Sequence, residues 1–233
     1  MPIQLLNKIR IIQKVLVIAV HPDDETLSCG GTLLKHSEQG DEINWLIVTN
    51  VDESEGWDRS VIINRQREIE TVSGLYGFKR TVKFDLPTTK LSEIPYDVLI
   101  KKFSETINEI KPEIIYLPNR SDIHSDHKIT FNAAYSCTKN FRYPFIRRIM
   151  MCETISETEF APALPEQFFI PNVFVDIEDQ FQKKLDIFKV YASEIMPDPL
   201  PRSLSSVEAL ARVRGSVIGK RFAEAFCLLK EIL

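Results

Sequence analysis

The sequence predicts an α/β protein with a Rossmann-like three-layer fold: an open, mainly parallel sheet, helices on both faces, and a C-terminal part completing a pocket. Short β-branched runs alternate along the chain with longer stretches of helical period, the pattern of successive βα units. Several runs, VLVIAV and WLIV among them, lack polar alternation, as strands covered on both faces do. No G-x-G-x-x-G turn follows the first of them, so the sheet is not expected to hold a dinucleotide.

In order, the first strand spans Val15 to Val20 and passes through His21-Pro22-Asp23-Asp24-Glu25 into a helix containing Gly30, Gly31 and His36. A second strand, Ile43 to Thr49, precedes a helix whose apolar stripe is Ile62, Ile69, Val72 and Tyr76. A third strand, Thr81 to Asp85, leads to the stripe Leu99, Phe103, Ile107 and Ile110, which stops before Pro112. Glu113 to Leu117 is the fourth strand, followed by a helix with Ile129, Ala133 and Cys137 inward. Further strands are read at Arg148 to Glu153 and Val173 to Ile177. The C-terminal third is read as packed and largely helical from the stripes Phe181/Leu185/Phe188 and Leu210/Val213/Val217. Between these stripes MPDPLPRSLSS, with three prolines, marks a surface loop or the wall of a pocket.

Composition narrows the function. Lys plus Arg number 29 against 33 Asp plus Glu, a formal charge of −4, with no basic stripe for nucleic acid or an anionic membrane. With 44% apolar and 27% charged residues the chain is an ordinary globular one. The run from Val15 is far too short to span a bilayer, and the polar cluster directly after it is not a signal cleavage site, so a cytoplasmic protein is expected. Cys29, Cys137, Cys152 and Cys227 are scattered and read as buried apolar residues, not as a zinc knuckle or disulfide framework.

Two clusters carry the chemistry. Asp23, Asp24 and Glu25 follow His21 at the end of the first strand, and consecutive acids repel one another unless a cation compensates them. Asp122-Ile123-His124-Ser125-Asp126-His127 follows the fourth strand and should emerge at the same sheet edge, with Ser125 or Asp126 capping a helix that carries His127 in its first turn. Three of the four histidines lie in these clusters, while His36 is read as structural. His21, Asp24 and His127 form a set of three protein ligands with a fourth position open, the pattern of a catalytic zinc. Iron, cobalt or manganese also suit such a donor set.

These motifs, Val20-His21-Pro22-Asp23-Asp24-Glu25 and His124-Ser125-Asp126-His127, resemble those of the PIG-L/LmbE-like zinc-dependent N-acetyl sugar deacetylases, written A-H-P-D-D-E and H-x-D-H. The likeness continues in GGTL at Gly30 to Leu33, in the helix carrying Arg65 and Glu68, and in AEAF at Ala223 to Phe226, while Val20, Ser125 and Tyr76 depart from the usual residues. It implies one deacetylase domain over residues 1–233 that hydrolyses a linear amide of an N-acetylglucosamine-type sugar or glycoconjugate. It also implies His21, Asp24 and His127 as zinc ligands, Asp23 as general base, and His124 as the group that stabilises the oxyanion as an imidazolium, oriented and kept protonated by Asp126. For Asp126 a helix cap is the competing reading, and for Arg65, which the resemblance makes a substrate-binding residue, a surface pair with Glu68 is the alternative. Asp122, Asn50 and Glu53 are expected at the pocket rim, Trp57 against a sugar ring and Trp45 in the core. Two other functions stand beside the first: an amidase on another amide such as a thiol-sugar conjugate, and a catalytically silent metal-bearing binding protein. A homo-oligomer is compatible with all of them.

Overall fold

The structure is a computed structural model and describes residues 11–233. In chain order the elements are β1 (Lys14–Ala19), α1 (Asp24–Glu38), β2 (Glu42–Asn50), α2 (Arg59–Tyr76), β3 (Arg80–Pro87), α3 (Tyr96–Ile110), β4 (Ile114–Leu117), α4 (Ser125–Ser136), β5 (Arg148–Cys152), β6 (Val173–Asp176), α5 (Phe181–Phe188), α6 (Leu204–Val217) and β7 (Ala223–Glu231). The strands form one sheet in the order β3-β2-β1-β4-β5-β7-β6. β1 to β5 are mutually parallel; β7 runs antiparallel to both β5 and β6.

β1 shows why the unbroken apolar runs are central strands. Val15, Val17 and Ala19 face one core, shared with α1, α2, α5 and α6, while Leu16 and Ile18 face the other, under α3 and α4. Full burial of a large aliphatic side chain contributes roughly 1.5–3 kcal/mol, so both faces favour the same register. Trp45 is wholly buried in the first core, as its place in β2 suggested. The chain builds β2 and β3 outward from one side of β1 and then crosses to β4 on the other. That reversal opens a crevice at the carboxyl ends of β1 and β4, where ligands of open α/β sheets bind.

The expectation of a largely helical C-terminal end is corrected at β7, nine residues that slot between β5 and β6. AEAFCLLKE is rich in Ala, Leu, Glu and Lys, good helix formers, and the open backbone edges of β5 and β6 override that preference.

β7 also repairs a defect in α1. The helix is broken at Cys29 (φ −142°, ψ 20°), which frees backbone groups on both sides of the kink. Glu224 of β7 accepts hydrogen bonds from the Gly31 N–H at 2.8 Å, the Thr32 N–H at 2.7 Å and the Thr32 hydroxyl at 2.6 Å. Lys184 of α5 donates to Glu224 at 2.7 Å and to the Leu27 carbonyl at 3.0 Å. A Cβ on Gly31 would stand 2.7 Å from the Ile177 side chain and one on Gly30 would stand 2.5 Å from the Tyr76 hydroxyl, which explains the glycine pair. Since both members of the ion pair are only 4% exposed, Glu224→Ala strands a buried ammonium and is expected to cost about 3–5 kcal/mol of stability, measured by denaturant unfolding.

Candidate metal centre and active site

The last turn of β1 delivers His21 to the crevice, and α1 starts immediately after it. Asp23, the residue before that helix, has φ 129°, a left-handed conformation costing a non-glycine residue about 1–3 kcal/mol. Its N–H donates to Glu25 Oε2 at 3.1 Å, and its carbonyl receives the N–H groups of Thr26 and Leu27 at 3.0 and 2.9 Å. Glu25 is itself fixed by the Tyr191 hydroxyl at 2.9 Å and Thr26 at 2.6 Å, and burial pushes its carboxyl up to about 7. The turn thus sets Asp24 against His21 and His127 while the buried Glu25 holds the Asp23 backbone.

Asp24 Oδ2 accepts the Val20 and His21 backbone N–H groups at 3.0 and 2.8 Å. The same oxygen lies 3.6 Å from His21 Nδ1 and 3.4 Å from His127 Nε2. Two ligand atoms on a tetrahedral ion with bonds of about 2.1 Å lie about 3.4 Å apart, so these are the edges such an ion requires. His127 is fully buried in the first turn of α4; its Nδ1 meets Asp122 Oδ2 at 2.8 Å, and its Nε2, aimed at the site, has no hydrogen-bond partner. A carboxylate behind an imidazole whose other nitrogen faces an open position is the usual support of a metal-ligating histidine. Burial alone would lower the His127 imidazole, but the Asp24 and Asp122 carboxylates outweigh it and hold it well above its ordinary value. Asp24 is drawn down by His127 and His21 despite its burial. Both shifts express one demand, a positive charge between these carboxylates. The residues present therefore fit a divalent metal.

A second group, His21, His124 and Asp126, overlaps the first through His21. It fits an ion less well because its atoms are committed elsewhere. Asp126 accepts the Thr89 N–H at 2.6 Å and the Leu91 N–H at 3.3 Å, tying the loop after β3 to α4. Its backbone N–H donates to His124 Nδ1 at 3.1 Å, whereas its carboxylate stays 4.0 Å from that nitrogen. The expected imidazolium held by the Asp126 side chain is therefore replaced by a ring whose Nδ1 accepts from the backbone, leaving Nε2 as the donor. Burial and the neighbouring His21 lower the His124 imidazole below its ordinary value.

Burial raises the Asp23 carboxyl well above the usual carboxylate range; Asp24, Glu194 and Glu25 add to the rise and Arg65 opposes it. Arg65, read from the sequence as a substrate-binding residue or as a surface pair with Glu68, is largely buried, its side chain only 11% exposed. Its Nε lies 3.4 Å from Glu68, and it also lines the cleft, donating to the Pro22 carbonyl at 3.1 Å and pairing with Glu194. The cleft encloses about 540 Å³ around His21, Asp23 and His124, within the range of small-molecule sites. Trp57, partly exposed, and Asn50 form part of its rim, as expected. Glu53 does not line it and pairs with Arg59 instead, and Asp122 lies fully buried behind His127. His36 is structural, bridging Asp41 at 2.7 Å and the Tyr116 hydroxyl at 2.9 Å. Glu157, Glu194 and Arg202 line the cleft without having been singled out in the sequence; only the three prolines beside Arg202 pointed to a pocket wall there. Among the described residues no helix is long and apolar enough to cross a membrane.

Crevice, ligand set and cleft together define a metal-site α/β protein of hydrolase type. The chain belongs to the family described as PIG-L: GlcNAc-PI de-N-acetylase, whose model matches residues 16–138, the stretch holding both strand-end clusters. It is similar to a diacetylchitobiose deacetylase of Thermococcus kodakarensis, 24% identical over 91% of this chain and 82% of that protein. A probable N-acetyl-α-D-glucosaminyl L-malate deacetylase of Bacillus cereus is 27% identical over 77% of this chain and 83% of its own length. The solved N,N′-diacetylchitobiose deacetylase of Pyrococcus horikoshii superposes with a TM-score of 0.74 at 25% identity, covering 94% of this chain and 84% of that one.

Removing the carboxylate behind His127 by Asp122→Ala is expected to weaken divalent-metal binding about 10–100-fold, measured with added zinc as the probe by titration against a chromophoric chelator.

Proposed function

We propose that the protein is a zinc-dependent deacetylase that hydrolyses the N-acetyl group of an N-acetylglucosamine-type sugar or glycoconjugate, releasing acetate and a free amine. The observation that carries this is the meeting of His21, Asp24 and His127 at ligand spacing beside a non-ligand acid, Asp23, in one open cleft. Family membership and the deacetylase names of its relatives support the same reaction.

His21, Asp24 and His127 would hold the ion, which when bound lowers the pKa of a water to about 7 and polarises a carbonyl. The remaining work falls to the side chains. Asp23, next to a ligand but outside the set, accepts a proton from the water that adds to the acetyl carbonyl. His124 donates its Nε2–H to the carbonyl oxygen as charge develops there, a contribution worth about 2.7–4 kcal/mol at comparable sites. Its aim is fixed by the Asp126 backbone N–H on Nδ1. The C–N bond then breaks as the proton taken by Asp23 is returned to the amine nitrogen, so that water is consumed and acetate and amine leave. Glu25 serves this cycle by holding the Asp23 turn.

Acetate release from a small set of N-acetylhexosamines, with and without a chelator, tests the reaction. Asp23→Asn is expected to lower kcat by about 10²–10⁴-fold while bound zinc, measured by elemental analysis, stays stoichiometric. Unchanged turnover would remove Asp23 from the mechanism, and a metal-loaded wild type inert on every acylated sugar would remove the reaction itself.

A further inference from the structure

Resting on the deacetylase reading, we infer that Glu194 is a specificity-determining residue that makes the cleft select N-acetylated sugars whose second group is uncharged and hydroxyl-rich, and reject those bearing a carboxylate or phosphate there. Arg65 and Arg202 are the Lys or Arg side chains that line the cleft among the described residues, and an anionic group would need one of them free. Neither is. Glu194 pairs with Arg65 on one side and stands 3.5 Å from Arg202 Nη2 on the other. Further contacts fix both guanidiniums in place: Arg65 reaches the Pro22 carbonyl at 3.1 Å and Glu68 at 3.4 Å, and Arg202 Nε donates to the Glu194 backbone carbonyl at 3.1 Å.

The balance of charge points the same way. Four carboxyl side chains, Asp23, Asp24, Glu157 and Glu194, line the cleft beside those two guanidiniums, so acidic groups outnumber the Lys and Arg cations there. An anion entering here displaces Glu194 from its partners or faces Glu157, and an unmatched charge in such a setting is costly. Sugar hydroxyls have no such requirement. They donate to carboxylates and accept from guanidinium edges, and Trp57 on the rim offers a ring face to a sugar. The names of the relatives span both classes, a neutral disaccharide and a malate conjugate, and the Glu194 clamp places this chain with the first.

The test measures kcat/KM of the full-length zinc-loaded protein for acetate release from N,N′-diacetylchitobiose, N-acetylglucosamine 1-phosphate and N-acetylglucosaminyl malate. The neutral disaccharide is expected to lead each anionic substrate by at least about tenfold, chiefly through KM. An anionic substrate that equals or exceeds it overturns the inference while leaving the deacetylase reading in place; absence of acetate from all three overturns both. Glu194→Gln keeps the shape and frees both guanidiniums, so the anionic-to-neutral ratio of kcat/KM is expected to rise by about tenfold. An equal loss on every substrate would make Glu194 merely structural and overturn its selective role. The wild-type comparison decides the question even if that variant does not fold.

Discussion

Consecutive carboxylates at the mouth of a parallel sheet cannot all stay ionised without positive partners, and the architecture around the cleft answers that constraint. Asp24 is met by two backbone N–H groups and two imidazoles, and Glu25 is turned inward to the Tyr191 hydroxyl. Asp23 is left buried and shifted upward, facing the cleft. Three adjacent acids thus acquire three different environments from one strained turn: Asp24 against two imidazoles, Asp23 buried at the cleft, and Glu25 turned into the core.

Such a turn stays in place only on a rigid support. α1 begins at the strain and breaks one turn later, at Cys29, where helix hydrogen bonds are lost. The Lys184–Glu224 pair restores them from α5 and β7, so the position of the Asp23 turn depends on residues about 160 to 200 positions further along the chain. The buried pair gains little from its own attraction once desolvation is counted, and its value lies in satisfying the broken helix from a fixed distance.

The metal set and the cleft wall have different origins. His21, Asp23, Asp24, His124 and His127 come from the ends of β1 and β4, inside the segment matched to the family. Glu194 and Arg202 come from the C-terminal third, beyond that segment, and meet Arg65 of α2 across the opening. This division lets one reaction centre serve different substrates, since the distal wall can change its charge pattern without disturbing the ligand geometry.

The sequence by itself determined the open α/β sheet, because β-branched runs buried on both faces have few other solutions, and it determined that His21, Asp24 and His127 meet, because His and Asp at two strand ends converge wherever the strands are parallel neighbours. It left other features to the tertiary structure. β7 carries helix-forming residues and became a strand through the free edges on either side of it. Asp122 and His127 are only five residues apart, yet the sequence set Asp122 at the rim, and burial of both made it the carboxylate behind the His127 imidazole. Asp126 reaches His124 with its N–H instead of its side chain because the loop at Thr89 and Leu91 claims the carboxylate. The Arg65–Glu194 pair joins groups 129 residues apart, so no local pattern announces it. Periodicity and spacing report what neighbours in the chain do to one another; the partner of a buried charge is set by packing between elements that meet only when the chain has folded.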